Sequence, residues 1–202
     1  IKKKLIIFDI DGVLFNSSKN MEKAWKIVCL KYKLKIPFSK YKSYIGYPFQ
    51  SILIKLGINK KLNNIENDYK TISQKFLGII RPYKNVVETI SLLKKNKIKI
   101  GICTSKDSKR TKLLLKKNDL FFDYIECSKK SVQGKPNPIQ LNKIIKSSGI
   151  AKSKSVYVGD MDIDRMTANN AGIDFVFAKW GYGKKKKYKY KISSIKDIIK
   201  II

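Results

Sequence analysis

Two carboxylates near the start of the chain, Asp9 and Asp11, have the residue types and the spacing to do chemistry together. They follow the apolar run LIIF at residues 5–8, which is typical of a buried strand. Residues two apart in an extended chain point to the same side, so both carboxylates are expected to face one site. Like charges held together in a cleft usually share a cation, or one of them is protonated. The alternative is a solvated turn, because Asp and the Gly12 that follows are common turn residues.

Further polar side chains follow later strand candidates, namely Thr104, Lys135, Asp160 and Asp164. In an open parallel sheet, the carboxyl ends of the strands meet at one edge, and ligands bind outside that edge. We therefore expect these residues to gather around Asp9. The set would provide a nucleophile or metal ligand, a hydroxyl donor, a fixed cation and carboxylates for a hard metal ion.

The elements that would position these groups alternate between helices and strands from residue 85 onwards. Apolar runs predict strands at 98–103, 124–127, 155–158 and 173–178, with helices between them and a last amphipathic helix at 195–202. This alternation is typical of an α/β fold with a doubly wound, parallel, Rossmann-like sheet.

Residues 16–80 show helical periodicity without a strand candidate, which predicts a small helical bundle. We expect a core domain of residues 1–15 and 82–202, and an inserted helical cap domain of residues 16–81. An insertion after the first strand lies beside the carboxyl edge and can act as a lid. Residues 44–50 and Trp25 are the expected source of specificity.

Local signals predict how several helices begin. Asn85 with Glu88 resembles a capping box, and Asn137 precedes a proline at a typical first helical position. Asp107 also fits a helix cap. Asp162 is interpreted as the N-cap of a helix rather than as a metal ligand.

The 202-residue chain is strongly basic, with 45 Lys and Arg against 15 Asp and Glu, and it contains no His. The absence of His excludes mechanisms that need an imidazole, so Asp, Glu, Lys, Tyr or Cys must carry acid–base work. The net charge of +30 fits an anionic partner, but it also fits an A/T-rich genome, because Lys, Ile, Asn, Tyr and Phe are abundant together. We favour the compositional explanation.

Three cysteines lie far apart in apolar runs, which favours reduced thiols in a cytoplasmic protein. No apolar run is long enough to span a bilayer, and no signal peptide is recognisable, so no membrane partner is expected. The tract KKKKYKYK at 184–191 could suit single-stranded nucleic acid. A solvated loop enriched in lysine by composition is the favoured interpretation, and nucleic acid is not an expected partner.

Four motifs in order resemble those of the haloacid dehalogenase superfamily. They are DxDGV at 9–13, an apolar run that ends in Thr104, GKPxP at 134–138 and VGDxxxD at 158–164. The chain is most similar to the branch of phosphoglycolate phosphatases and β-phosphoglucomutases, which carry a helical cap after the first motif. The resemblance covers essentially the whole chain, including the cap position and GYG at 181–183.

The resemblance implies that Asp9 is a nucleophile that forms an aspartyl-phosphate, and that Asp11 is the general acid and base. It implies Mg²⁺ as the cofactor, bound by hard oxygen ligands. The implied metal-binding residues are Asp9, Asp11 through its backbone carbonyl, Asp160 and Asp164, of which Asp164 could instead orient Lys135. The implied phosphate-binding residues are Gly12, Thr104, Ser105 and Lys135, although Thr104 and Ser105 also fit helix caps.

We therefore expect a Mg²⁺-dependent phosphatase of small phosphorylated metabolites, similar to phosphoglycolate phosphatase. One alternative is a phosphomutase, which passes the phosphoryl group to a second sugar hydroxyl. The other is a basic, non-catalytic protein that binds nucleic acid. Asn16 and Ser105 stand where relatives often have Asp and Asn, so the specificity of a single relative is not transferred to this chain.

Overall fold

The computed structural model of the chain describes residues 2–129, 134–184 and 188–201. Its strands are β1 (Leu5–Phe8), β2 (Phe15–Asn16), β3 (Arg81–Pro82), β4 (Lys99–Thr104), β5 (Tyr124–Cys127), β6 (Ser155–Gly159), β7 (Asp174–Ala178) and β8 (Lys191–Ile192). Its α-helices are α1 (Ser18–Tyr32), α2 (Phe38–Lys42), α3 (Phe49–Lys55), α4 (Leu62–Lys75), α5 (Val86–Lys95), α6 (Ser108–Lys117), α7 (Ile139–Ser148) and α8 (Asp162–Ala171). Short 3₁₀ helices occupy Leu77–Ile79, Lys152–Lys154 and Ile195–Ile201.

The main sheet is parallel, in the order β5-β4-β1-β6-β7-β8. Strand β1 lies between β4 and β6, and its four side chains are buried on both faces. Ile6 and Phe8 join the apolar cluster beneath α5 and α6, whereas Leu5 and Ile7 join the cluster beneath α7 and α8. Helices therefore cover both faces of the sheet, and the predicted doubly wound α/β fold is confirmed.

Helices α1 to α4 pack around an apolar cluster of their own, which includes Trp25, Tyr41, Leu53 and Tyr69. The chain enters and leaves this helical block through β2 and β3, which form an antiparallel pair with Phe15 opposite Pro82. The block is thus helical, as its periodicity predicts. It lies against the carboxyl edge of the main sheet, where Gly46 lies next to Ile163 of α8.

The predicted start of α5 after Asn85 is confirmed but its capping box does not form, and the prediction that Asp162 is an N-cap is wrong. The Asn85 side chain caps no helix, because its backbone is left-handed (φ +66°) and directs the chain into α5 without a capping hydrogen bond. Asp162 is the first residue of α8 rather than its cap; Asp164 supplies the capping carboxylate, which accepts from the Met161 N–H at 3.1 Å. The Asn137 prediction is confirmed in part: its Oδ1 accepts from the Ile139 N–H at 3.0 Å, but Pro138 is the N-cap and α7 begins one residue later than predicted, at Ile139.

The Asp107 cap is also confirmed, since its Oδ1 accepts from the Arg110 N–H at 3.0 Å. The predicted amphipathic helix at the end of the chain is instead a 3₁₀ helix, Ile195–Ile201, which buries Ile195 and Ile198. Ile195 and Ile198 join the apolar cluster beneath α5 and α6, so the segment still packs against the sheet as predicted.

Among the residues that the structure describes, none of the helices combines the length and apolar character that a bilayer crossing needs. The basic tract lies only partly within these residues, since 185–187 fall outside them. Its Tyr188 ring stacks on Phe177, with centroids 4.2 Å apart and an interplanar angle of 15°. That ring therefore packs against the fold, which removes it from the aromatic surface that a nucleic-acid site would need.

Candidate active site

A buried lysine forms ion pairs with two aspartates at the carboxyl edge of the sheet. Lys135 Nζ lies 3.1 Å from Asp9 Oδ1 and 2.7 Å from Asp164 Oδ1, and its side chain has no exposed surface. Asp9 directly follows β1, and Asp164 lies in the first turn of α8. The structure thus brings together residues from distant parts of the sequence, and it gives Asp164 the Lys135-orienting contact that the sequence left open.

The carboxylates of Asp9, Asp160 and Asp164 form a buried acidic cluster, with one oxygen of each within 4.8 Å of the others. Asp160 Oδ1 and Asp9 Oδ1 are buried without a hydrogen-bond donor, although Lys135 is close enough to Asp9 for an ion pair. Buried acceptor oxygens without donors are unfavourable unless a cation or solvent compensates them. This set of hard oxygen atoms fits Mg²⁺.

Backbone segments surround Asp160 so closely that side chains are excluded. Gly12 has a left-handed backbone (φ +92°), and a Cβ there would lie 2.7 Å from Asp160 Cγ. A Cβ on Gly181 or Gly183 would also collide with Asp160. The Tyr182 N–H donates to Asp160 Oδ2 at 2.6 Å, so this segment fixes the carboxylate through the backbone. The glycines are required here because the acidic cluster and two backbone segments, at Gly12 and at 181–183, share one small volume.

Tyr182 also connects the acidic cluster to the segment that enters the helical block. Its hydroxyl accepts from the Ser17 N–H at 2.6 Å and donates to the Phe15 carbonyl oxygen at 3.4 Å. The backbone of the same residue holds Asp160. Sequence reasoning included Tyr182 through the GYG motif but assigned it no contact.

Asp11 lies outside the acidic cluster and pairs with a lysine that sequence reasoning missed. Asp11 Oδ2 is 2.9 Å from Lys106 Nζ, and the Lys106 side chain is almost fully buried. Lys106 lies two residues beyond Thr104, at the end of β4, and this position is the signal that could have identified it. Thr104 Oγ1 accepts from the Lys106 N–H at 3.2 Å, so Thr104 has a local structural partner as well.

Ser105 links the core to the helical block. Its hydroxyl donates to the Gly46 carbonyl oxygen at 2.6 Å, so in this arrangement the hydroxyl points to the block. The phosphate-binding role of Ser105 stays a prediction.

A cavity of about 50 Å³ lies between the core and the helical block. Its core side includes Asp9, Asp11, Thr104 and Lys106. The block contributes apolar and aromatic side chains, several of them from residues 45–49, within the segment 44–50 that the sequence indicates. Trp25 is not part of this lining. Its indole is buried within the block and donates to the Ile36 carbonyl oxygen at 3.0 Å, so the expectation for this residue is wrong.

The three carboxylates of the acidic cluster carry more negative charge than Lys135 can balance. Burial raises the pKa of Asp9 from 3.8 to about 7, with Lys135 opposing this change and Asp164 adding to it. Burial also raises the pKa of Asp160 well above its usual value, together with repulsion from Asp164 and Asp9. Burial lowers the pKa of Lys135, but attraction to Asp164 and Asp9 outweighs it and the net change is upward. A divalent cation would relieve the repulsion between these carboxylates.

The α/β fold and the buried acidic site at its sheet edge are those of a hydrolase. Residues 6–178 match the haloacid dehalogenase-like hydrolases, and the chain belongs to this family. The resemblance seen in the four motifs is therefore confirmed.

Full-length relatives support the same assignment. The chain is 26% identical over 208 residues to a phosphoglycolate phosphatase from Aquifex aeolicus, covering 98% of this chain and 96% of the relative. It is 25% identical over 215 residues to the pyrophosphatase PpaX from Bacillus mycoides, covering 100% and 98%. A crystal structure assigned to the haloacid dehalogenase-like hydrolases, from Bacteroides fragilis, superimposes with a TM-score of 0.91 at 24% identity, over 98% of this chain and 100% of that one. That structure shows the shared fold.

Proposed function

We propose that this protein is a Mg²⁺-dependent phosphatase that hydrolyses small phosphorylated metabolites through an aspartyl-phosphate on Asp9. The observation that carries the proposal is the convergence of Asp9, Asp160 and Asp164 around the buried Lys135. The two relatives with phosphatase names, for phosphoglycolate and for pyrophosphate, support the reaction class.

Asp9 is the nucleophile in this proposal. One of its carboxylate oxygens attacks phosphorus, the bond from phosphorus to the leaving oxygen breaks, and the phosphoryl group is transferred to Asp9. Asp11 donates a proton to the leaving oxygen. It then removes a proton from a water molecule, which attacks the aspartyl-phosphate and releases inorganic phosphate with Asp9 restored. Lys106, 2.9 Å from Asp11, holds the Asp11 side chain at the cavity.

Phosphate binding needs positive charge beside Asp9. A phosphate dianion about 4 Å from an ionised carboxylate is repelled by about 8 kcal/mol at an effective dielectric constant near 20. Lys135 supplies one compensating charge next to Asp9. We assign the phosphoryl oxygens to Lys135, to Thr104 and Ser105, and to backbone N–H groups near Gly12.

Asp9, Asp160 and Asp164, with the backbone carbonyl of Asp11, are the groups that would hold Mg²⁺. When bound, the ion would supply two positive charges that stabilise the phosphoryl oxygens and favour ionised Asp9. Asp164 has a second task in this assignment, since it keeps Lys135 Nζ directed at Asp9.

We also propose the domain division into a core of residues 1–15 and 82–202 and a cap of residues 16–81. The β2–β3 pair supports these boundaries, because both connections between the two parts pass through it. The cap would exclude bulk water from the reaction and contact the leaving group. A cytoplasmic location is proposed from the three free cysteines, which are typical of a reducing compartment.

The direct test is release of phosphate from p-nitrophenyl phosphate with and without Mg²⁺. We expect Mg²⁺-dependent turnover in the wild type and its loss in Asp9→Asn, which keeps the side-chain shape but removes the nucleophilic oxygen. A Lys109→Met variant, changed at an exposed position on α6, is the control for unrelated effects. Turnover in Asp9→Asn equal to that of the wild type would exclude the mechanism.

A further inference from the structure

Arg110 is a buried arginine that sequence reasoning did not single out. It lies in the first turn of α6 and is 7% exposed. Its Nε donates to Asp107 Oδ2 at 2.5 Å, and its backbone N–H donates to Asp107 Oδ1 at 3.0 Å. The side chain is therefore fixed to the core, since Asp107 caps the same helix.

The other end of the guanidinium group reaches the helical block. Arg110 Nη1 donates to Ser73 Oγ on α4 at 2.8 Å. Ser73 Oγ donates in turn to Asn20 Oδ1 at 2.6 Å, and Asn20 Nδ2 donates to the Ser73 carbonyl oxygen at 2.9 Å. Ser73 and Asn20 are each 1% exposed. We call this chain of hydrogen bonds, from Asp107 through Arg110 and Ser73 to Asn20, the interdomain latch.

The latch forms part of the wall of the site cavity. The Arg110 guanidinium lies 5.7 Å from the centroid of the Tyr69 ring, within range of a cation–π contact, and both residues line the cavity. The hydroxyl groups of Tyr69 and Tyr41 are hydrogen-bonded at 2.9 Å, which joins α4 to α2. Arg110 therefore lines the same cavity as Asp9 and Asp11 and contacts an aromatic residue of the helical block within it.

The cavity with the latch closed is small. Its volume is about 50 Å³, whereas a single water-sized group needs roughly 10–15 Å³ on this measure. Asp9 and Thr104 line this space, so a phosphoryl group bound to them would lie within it. The enclosed room left beside a phosphoryl group matches a leaving group of a few heavy atoms, and a larger group such as a hexose would have to extend through the open side of the cavity.

We propose that Arg110 determines the leaving-group size of the substrate: by joining core to block, it restricts the site to phosphate esters with small leaving groups. This inference rests on the proposed phosphatase function and goes further by naming the substrate class and the residue that selects it. Loss of the guanidinium would widen the cavity and loosen the contact of the block with a small substrate.

The test compares kcat/KM for ethyl phosphate and for glucose 6-phosphate in the wild type and in Arg110→Met. We expect the wild type to prefer ethyl phosphate. In Arg110→Met, kcat/KM for ethyl phosphate should fall about tenfold or more, because small substrates depend on exact positioning, while that for glucose 6-phosphate is kept or rises. Ser73→Ala, which removes only the partner on α4, should change selectivity in the same direction, and Lys109→Met should change neither value.

Equal losses for both substrates in Arg110→Met would show a general structural role and overturn the inference, as would unchanged selectivity. If Arg110→Met does not fold, the selectivity of Ser73→Ala decides the matter by the same criterion. The double variant, Arg110→Met with Ser73→Ala, provides a further check. Because both residues belong to one latch, its change in selectivity should be smaller than the sum of the changes in the two single variants. A wild type that hydrolyses none of the esters would refute the proposed function itself, and this inference with it. An active wild type with the wrong selectivity would refute the latch alone.

Discussion

Asp9 is expected to make the metal-free protein less stable as the pH rises. Burial is the main cause of its pKa of about 7 in the folded state, against 3.8 for an ordinary aspartate. Between these two pKa values the folded protein holds a proton that the unfolded chain has released, so the free energy of unfolding falls with rising pH. At about 1.4 kcal/mol per pKa unit, the full effect is about 4 kcal/mol once the pH exceeds 7.

The Asp9→Asn variant measures this contribution together with the relief of the repulsion that Asp9 exerts on Asp160. It lacks the titrating group but keeps its size, so at pH 7.5 in EDTA it should be about 4 kcal/mol more stable than the wild type. The difference should shrink by about 2–3 kcal/mol at pH 5, where Asp9 of the folded wild type is protonated. Aspartates with lowered pKa values, such as Asp68 and Asp197, are present in both proteins, so their effects cancel in the comparison.

Urea-induced unfolding at each pH gives the required free energies. Mg²⁺ at about 100 times its Kd should restore about 2.7 kcal/mol to the wild type, because the ion binds the folded state. Asp9→Asn should recover less, since one ligand is lost. A stability difference between the two proteins that is the same at pH 5 and pH 7.5 would refute the reasoning.

Other parts of the site give further predictions. Lys135→Met leaves Asp9 unpaired in a buried site and should lower the free energy of unfolding by about 3–5 kcal/mol in EDTA, measured by urea titration; a loss below 1 kcal/mol would contradict the buried ion pairs. Gly12→Ala places a methyl group against Asp160 at a left-handed backbone position and should weaken Mg²⁺ binding at least about tenfold by calorimetry, because metal ligands tolerate little displacement; unchanged affinity would contradict the crowding. Ser105→Ala removes one hydrogen bond to the helical block and should cost about 1 kcal/mol of stability, whereas wild-type stability with a raised KM would favour a phosphate contact instead.

The positions of the main acidic and basic groups could be predicted from the sequence because the topology determines them. Asp9, Thr104 and Asp160 each stand at the end of a parallel strand, and strand ends meet at one edge. Lys135 was distinguishable from the other lysines through the surrounding GKPxP motif. The alternation of helices and strands predicted a doubly wound parallel sheet, but it did not predict the order of the strands within that sheet.

The residues that the sequence did not reveal are those whose environment depends on packing between distant segments. Arg110 is one of 45 basic residues, and nothing local distinguishes it from the exposed ones, whereas Lys106 is marked only by its position two residues beyond Thr104. Arg110 is buried where it contacts Ser73 of the helical block, and Lys106 is buried where it pairs with Asp11; no periodicity in the sequence reports either contact. The capping roles predicted for Asn85 and Asp162 failed for a similar reason, since the left-handed backbone at Asn85 and the neighbouring Asp164 overrode the usual cap preferences, although α5 does begin directly after Asn85.

The β2–β3 pair gives the helical block an entry and an exit that are neighbours. Adjacent strands lie about 5 Å apart, so a turn of about two residues could replace residues 17–80 without moving the strands of the main sheet. The reacting groups Asp9, Lys135 and Asp160 all lie outside the replaced segment. Residues 17–80 can therefore be exchanged for a segment of another shape, in evolution or by engineering. Such an exchange would alter the substrate range and leave the reacting groups in place.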